Sequence, residues 1–135
     1  MSLKDSQTPK SQVPSNINYR KSANMLELSY ADGTKLELEA ELLRVYSPSA
    51  EVRGHGAGQE TLQTGKKEVR VLDIQPSGSY AIKICFDDGH DSGLYAWEYL
   101  YELGRHKEAF WKDYLRRMEE AGASREPSLI SIKQL

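Results

Sequence analysis

The stretch Tyr80-Ala81-Ile82-Lys83-Ile84-Cys85-Phe86-Asp87-Asp88-Gly89-His90-Asp91-Ser92-Gly93-Leu94-Tyr95-Ala96-Trp97 decides the fold. Tyr80, Ile82, Ile84 and Phe86 alternate strictly with other residues, the period of a half-buried strand. Asp87-Asp88-Gly89 then signals a turn, because Gly reaches the left-handed region at little cost. His90 to Ala96 reads as a returning strand, with Gly93 marking a bulge or a close backbone approach. Upstream, Val69, Val71, Leu72 and Ile74 form an apolar run, and Pro76-Ser77-Gly78 is read as the turn joining it to the strand at 80–86.

A second hairpin lies toward the N-terminus. Met25, Leu26, Leu28 and Tyr30 lead into Ala31-Asp32-Gly33, and Leu36 and Leu38 alternate with Lys35, Glu37 and Glu39. Asp-Gly between two period-two runs is a strong tight-turn signal. Positions 26, 28, 36 and 38 are expected to face the core. Ala40 to Tyr46 reads as one or two helical turns that Pro48 stops. Residues 47–67, with Gly54, Gly56, Gly58 and Gly65, are expected to form a long loop.

Two helices close the chain. Trp97, Leu100 and Leu103 recur at helical spacing, with Gly104 read as a stop. From about Arg105 to Ala121, the residues Phe110, Trp111, Tyr114, Leu115 and Met118 share a stripe, and Gly122 ends it. If Trp97 is core, Trp97→Ala should cost about 3–5 kcal/mol. The expected class is α+β: antiparallel sheets built from hairpins, with two C-terminal helices packed against them. Residues 1–16 are expected to be a disordered lead, 17–121 the domain, and 122–135 a polar tail with some strand character from Ser128 onward.

Composition bounds the function. The chain has 135 residues, 39% apolar and 28% charged, with 18 basic against 20 acidic residues and a net charge of −2. That is one domain without the basic excess of a general nucleic-acid binder. No apolar run approaches the ~18 residues of a membrane helix. The N-terminal residues lack the apolar core of a secretory signal, so a cytoplasmic location is expected. A single cysteine, Cys85, excludes an internal disulfide and any cysteine cluster built by one chain. Its parity opposes that of Ile82, Ile84 and Phe86, which puts it on the other sheet face as a small, half-buried residue.

Local motifs add little. Gly54-His55-Gly56-Ala57-Gly58 invites a phosphate-loop reading. However, Glu60 stands where the template before Gly65-Lys66 needs glycine, and Lys67 where it needs Ser or Thr. His106-Lys107-Glu108 has an iron-oxygenase spacing, but on a helix its side chains diverge by ~200°. Ser47 and Ser49 lack a nucleophile frame and read as capping or turn residues. His90 reads as a turn histidine, or as a metal ligand or polar group closing a site against the 47–58 loop.

Leu43-Arg44-Val45-Tyr46-Ser47-Pro48-Ser49-Ala50-Glu51-Val52, the following Gly-His-Gly-Ala-Gly-Gln, and the 80–97 stretch agree in order and spacing. Together with the Asp32-Gly33 hairpin they resemble the gamma-butyrobetaine hydroxylase N-terminal-like domain family over roughly residues 17–120. The resemblance implies a small α+β domain. In the hydroxylases this domain precedes a 2-oxoglutarate- and iron-dependent oxygenase domain and holds a structural zinc. Other members stand alone or are joined to ATPases of the iron–sulfur carrier type. The zinc versions use Cys-x-Cys-x-x-Cys after the Leu-Arg segment, plus the histidine of the Asp-Gly-His turn. Here those cysteine positions are Ser47, Ser49 and Val52, and only His90 remains, so the structural zinc is not supported. No room is expected for the oxygenase domain. Two functions follow as expectations. The first is a non-catalytic binding or adaptor module of iron–sulfur or redox metabolism, with an iron–sulfur carrier ATPase or an oxygenase as partner. The second is an iron or zinc site built from His55 and His90, with Asp88 or Asp91 as carboxylate ligand.

Overall fold

The computed structural model describes residues 12–54 and 60–127. Two three-stranded antiparallel sheets, helices on their flanks and a shared core make up the α+β architecture that the hairpins predict. The first sheet has the order β1 (Asn16–Arg20), β2 (Met25–Ser29), β3 (Lys35–Glu39). Leu26 faces Leu38 and Leu28 faces Leu36 across β2 and β3, and all four are buried, as their parity requires. The turn is tied by Gly33 N–H to Tyr30 O (3.0 Å) and by Tyr30 N–H to Thr34 O (2.9 Å). Asp32 Oδ1 accepts the Thr34 N–H at 2.9 Å, and Gly33 has φ +92°.

Strand β1 escapes the sequence reading. Only Ile17 and Tyr19 are apolar in it, and both are half-buried beside Leu28 and Leu26. Ser15 N–H bonds Ser29 O at 2.7 Å just before the strand, so Asn16, within the expected disordered lead, is already in the sheet. The disorder expected over 1–11 lies outside the described residues. Asn24 ends the β1–β2 turn with φ +54°, a region where Asn is among the better-tolerated side chains. Its Nδ2 bonds Val69 O at 2.8 Å and its Oδ1 accepts the Tyr19 hydroxyl, tying the turn to the segment that precedes Val71.

The second sheet has the order β4 (Val71–Ser77), β5 (Ala81–Phe86), β6 (Leu94–Ala96). Ile82, Ile84 and Phe86 are buried, while Cys85 is half-buried at the opposite parity. Two details correct the sequence reading. The register slips between Val71 and Asp73, so the bulge falls at Leu72, which is 70% exposed. Pro76 is inside β4 opposite Ile82, and the turn begins after Ser77, with Gly78 at φ +56°. Both fit an edge strand: proline needs no ladder partner there, and a bulge blunts edge-to-edge pairing. Leu72→Ser is therefore expected to change stability by less than about 0.5 kcal/mol in urea denaturation, as surface positions do.

Between the sheets run α1 (Ala40–Val45), buried along its whole length, and the single turn α2 (Ala50–Arg53). The stretch 47–67 is therefore not all loop. Helices α3 (Trp97–Arg105) and α4 (Lys107–Ala121) follow, separated by His106 alone. Leu100 and Leu103 are fully buried. Trp97 is only partly so, with its indole N–H on Ser79 O at 2.8 Å. The cost of Trp97→Ala is therefore expected to fall below the core value of about 3–5 kcal/mol. Gly104 is no stop: it lies within α3, where a Cβ would sit 2.9 Å from Leu36 Cδ1. On α4, Tyr114 and Met118 are buried, but Leu115 is exposed. Gly122 caps α4 in the left-handed conformation at φ +62°.

After the cap, the polar segment turns back onto the body. Ser124 O accepts the Gly65 N–H and Arg125 O the Lys67 N–H, both at 2.9 Å. Arg125 Nε and Nη2 bond Glu41 Oε2 and Oε1 at 2.8 and 2.7 Å, and the Tyr114 hydroxyl donates to Glu41 Oε2 at 2.7 Å. The strand character expected from Ser128 to Leu135 lies outside the described residues.

Candidate functional site

Helix α1 runs into Tyr46-Ser47-Pro48-Ser49, where proline forbids another helical turn. Two tyrosines fix this exit. The Tyr95 hydroxyl bonds Leu43 O and the Tyr99 hydroxyl bonds Tyr46 O, each at 2.5 Å. They satisfy carbonyls that the end of a helix leaves without partners. Opposite, the 87–90 turn is closed by Phe86 N–H to His90 O (2.9 Å) and Gly89 N–H to Phe86 O (3.2 Å), with Gly89 at φ +91°. The turn delivers His90 beneath the Ser47–Ser49 bend.

There, His90 Nε2 lies 2.8 Å from Ser47 Oγ and 3.4 Å from Ser49 Oγ. Its Nδ1 lies 3.3 Å from Glu51 Oε1. A carboxylate accepts and cannot donate, which places the imidazole proton on Nδ1 and leaves Nε2 to accept from the Ser47 hydroxyl. Ser47 is 1% exposed and His90 8%, so the pair is closed off from solvent. Gly93 makes the closure possible, since a Cβ there would overlap Ser47 Oγ. The close backbone approach read from Gly93 is thus present.

Charged groups flank the pair. Asp88 Oδ2 accepts from Arg44 Nε at 2.8 Å and Lys66 Nζ at 2.6 Å, and Oδ1 accepts the His90 N–H at 3.1 Å. Burial alone would raise the Asp88 pKa, but the hydrogen bonds from Lys66 and Arg44 outweigh it and hold the carboxyl at about 2. Burial, then the Arg44 charge, push the His90 pKa below its ordinary value. The linkage has one sign for both groups, because each binds fewer protons folded than unfolded in its window. The His90 contribution is complete above about pH 6.5 and is lost as pH falls toward its lowered folded value. The Asp88 contribution is complete above the ordinary aspartate range and is lost as pH falls to about 2. Stability is expected to decline in these two acid steps, with His90→Gln abolishing the upper one in urea midpoints measured against pH.

The structure joins His90 and Asp88 from the sequence-derived set, but through the His90 backbone, with the Asp88 carboxylate committed to Arg44 and Lys66. Asp91 is exposed. His55 lies outside the described residues. Among the described residues no group of three or more His, Cys, Asp or Glu is placed to hold a metal ion. Ser47 and Ser49 are more than turn residues, because both hydroxyls turn onto the histidine. Val52, the third cysteine position of the resemblance, is a buried apolar side chain. Hydroxyls and a valine supply no thiolate, so this donor set does not fit a structural zinc. His106 is exposed beside Glu102, 3.3 Å away. Glu51, Arg44 and Lys66 were not found from the sequence.

Next to this cluster, α2, α3, α4 and the end of α1 enclose an open cleft of about 830 Å³. A sequence profile described as gamma-butyrobetaine hydroxylase-like, N-terminal, matches residues 17–101. The chain belongs to the gamma-butyrobetaine hydroxylase-like N-terminal family. The matched span holds both sheets, the Ser47–His90 pair and the start of α3. Two proteins whose solution structures were determined by NMR are similar to it. One is 49% identical, with a TM-score of 0.75, covering 86% of this chain and 91% of its own. The other is 47% identical, with a TM-score of 0.73, covering 90% and 92%. A crystal structure at 1.93 Å of an Acidithiobacillus ferrooxidans protein of unknown function, from the DUF971 family, is 33% identical. Its TM-score is 0.61, over 72% of this chain and 98% of that one. No curated protein matches the sequence.

Proposed function

We propose that this member of the gamma-butyrobetaine hydroxylase-like N-terminal family is a non-catalytic binding module, an adaptor for a protein partner. The observation that carries the reading is the closure of the Ser47–His90 pair. A hydroxyl and an imidazole that face each other at 1% and 8% exposure support a folded scaffold better than a reacting centre. The cluster ties the 47–54 segment to the 87–90 turn and so shapes the surface above it. The partner class to test first is the one that the resemblance implies, an iron–sulfur carrier ATPase or an oxygenase, in the cytoplasm. Among the described residues no helix is long and apolar enough to cross a membrane.

The reading is tested by titrating the purified protein into a carrier ATPase and into an oxygenase from the same source, by calorimetry. Saturable binding to one of them is expected; absence of binding to both would overturn the adaptor reading. The metal alternative, His55 and His90 on one iron or zinc ion, is separated by elemental analysis of untagged protein purified without oxygen. Near-stoichiometric metal that disappears in His90→Ala would carry that alternative.

A further inference from the structure

We propose that the cleft between α2 and α4 is a binding site for a small ligand that carries an oxyanion, a carboxylate or a phosphate ester, on a flat apolar body. The inference does not depend on the adaptor reading. Its size falls in the range of small-molecule sites, and its walls mix apolar and aromatic groups with a few convergent charges. Val45 and Val52 supply apolar surface. Tyr46 and Tyr99 supply ring faces, because both hydroxyls are committed to backbone carbonyls, Phe110 O at 2.8 Å and Tyr46 O at 2.5 Å.

The cations are oriented by those same rings. Arg53 Cζ lies 5.0 Å from the Tyr99 ring centre, and Arg117 Cζ lies 5.6 Å from that of Tyr46. A guanidinium stacked on a ring keeps its planar fork of donors pre-organised for a carboxylate or phosphate. Arg116 is saturated, with Nη1 on Glu120 and Nη2 on Asp113. Arg117 is not. Its Nε is shielded from solvent and makes no hydrogen bond, although Asp113 Oδ2 is 3.2 Å away. Asp113 already accepts from Arg116 Nη2 at 2.6 Å, so its carboxylate is divided between the two guanidiniums. With Arg116 paired to Asp113 and Glu120, Arg53 and Arg117 are the lining guanidiniums offered to a ligand. An oxyanion between Arg53 and Arg117 would meet the outer nitrogens of both guanidiniums, while its apolar body would lie against Val45, Val52 and the tyrosine ring edges.

The test is a titration of the full chain followed by amide ¹⁵N–¹H spectra, with benzoate, phenyl phosphate and neutral benzamide as probes. Saturable shifts of the Arg53, Tyr99, Asp113 and Arg117 amides are expected with benzoate or phenyl phosphate, and the tighter of the two identifies the source of the oxyanion. Arg53→Gln and Arg117→Gln should each weaken binding about tenfold, as loss of a charge-assisted hydrogen bond does. Arg117→Lys should fall between, since it keeps the charge without the fork. Equal shifts with benzamide, no saturation with either anion, or an unchanged affinity in both glutamine variants with dispersed spectra would overturn the proposal.

Discussion

Arg125→Ala is expected to lower the unfolding free energy by about 3 kcal/mol, the lower end of the range for breaking a buried ion pair. Glu41 sits in the first turn of α1 with its side chain 7% exposed. Its two oxygens are held by a bidentate guanidinium and by the Tyr114 hydroxyl. Removing Arg125 leaves a buried carboxylate that keeps the Tyr114 hydroxyl but loses its bidentate partner, and the desolvation already incurred is no longer offset. Arg125 itself is partly exposed, which brings the figure down from the upper end. The guanidinium also lies over Trp111, 4.9 Å from the ring centre, so packing is lost along with charge. Arg125→Lys should recover only part of the loss, because an ammonium cannot bond both oxygens in one plane. Denaturant unfolding measures both, and a cost for Arg125→Ala below about 1 kcal/mol would show that the segment after α4 is not anchored there. The Lys67–Glu126 pair beside it is exposed on both sides and screened by solvent, so it is the weaker tie.

His90→Ala is the second large effect, expected to cost about 2–4 kcal/mol. The substitution opens a cavity between the 87–90 turn and the Ser47–Ser49 bend. It also strands the Ser47 hydroxyl, at 1% exposure, without its acceptor. The stranded group makes a double-mutant cycle informative. Ser47→Ala alone leaves His90 Nε2 short of its nearest donor, whereas Ser47→Ala on top of His90→Ala removes an orphan. The double variant should therefore be less unstable than the sum of the two single ones, by about 1 kcal/mol or more. Strict additivity would show that the two side chains are neighbours without interacting.

Most of the fold was legible because local signals coincide with burial. The Asp32-Gly33 hairpin, the 80–86 alternation and the left-handed glycine after α4 each carry their own period and punctuation. The misses have physical causes. Strand β1 offers two apolar side chains among turn formers, so its pairing is decided by the β2 edge rather than by its own pattern. Leu72 is apolar but sits at a bulge, and Pro76 is tolerated inside β4 because β4 is an edge. Gly104 reads as a helix stop until the Leu36 side chain is set against it.

The site was legible only in part. The turn before His90 announces itself, and the resemblance singles out Ser47, Ser49 and Val52 as the positions where its zinc versions carry cysteine. What these positions do without cysteine depends on three-dimensional proximity. Ser47 is 43 residues from His90, and Arg44 is 44 residues from Asp88. No local spacing encodes such pairs. Here serine hydroxyls turn onto the imidazole nitrogen, glycine at 93 leaves room for the contact, and burial lowers the His90 pKa.

That claim is tested most directly at the imidazole itself. Long-range ¹⁵N–¹H spectra of the folded protein, recorded across pH, report the tautomer and the protonation of His90. A neutral ring at pH 7 with its proton on Nδ1, facing Glu51, and a titration below the ordinary histidine value are expected. A proton on Nε2, or a ring that is cationic at pH 7, would contradict it.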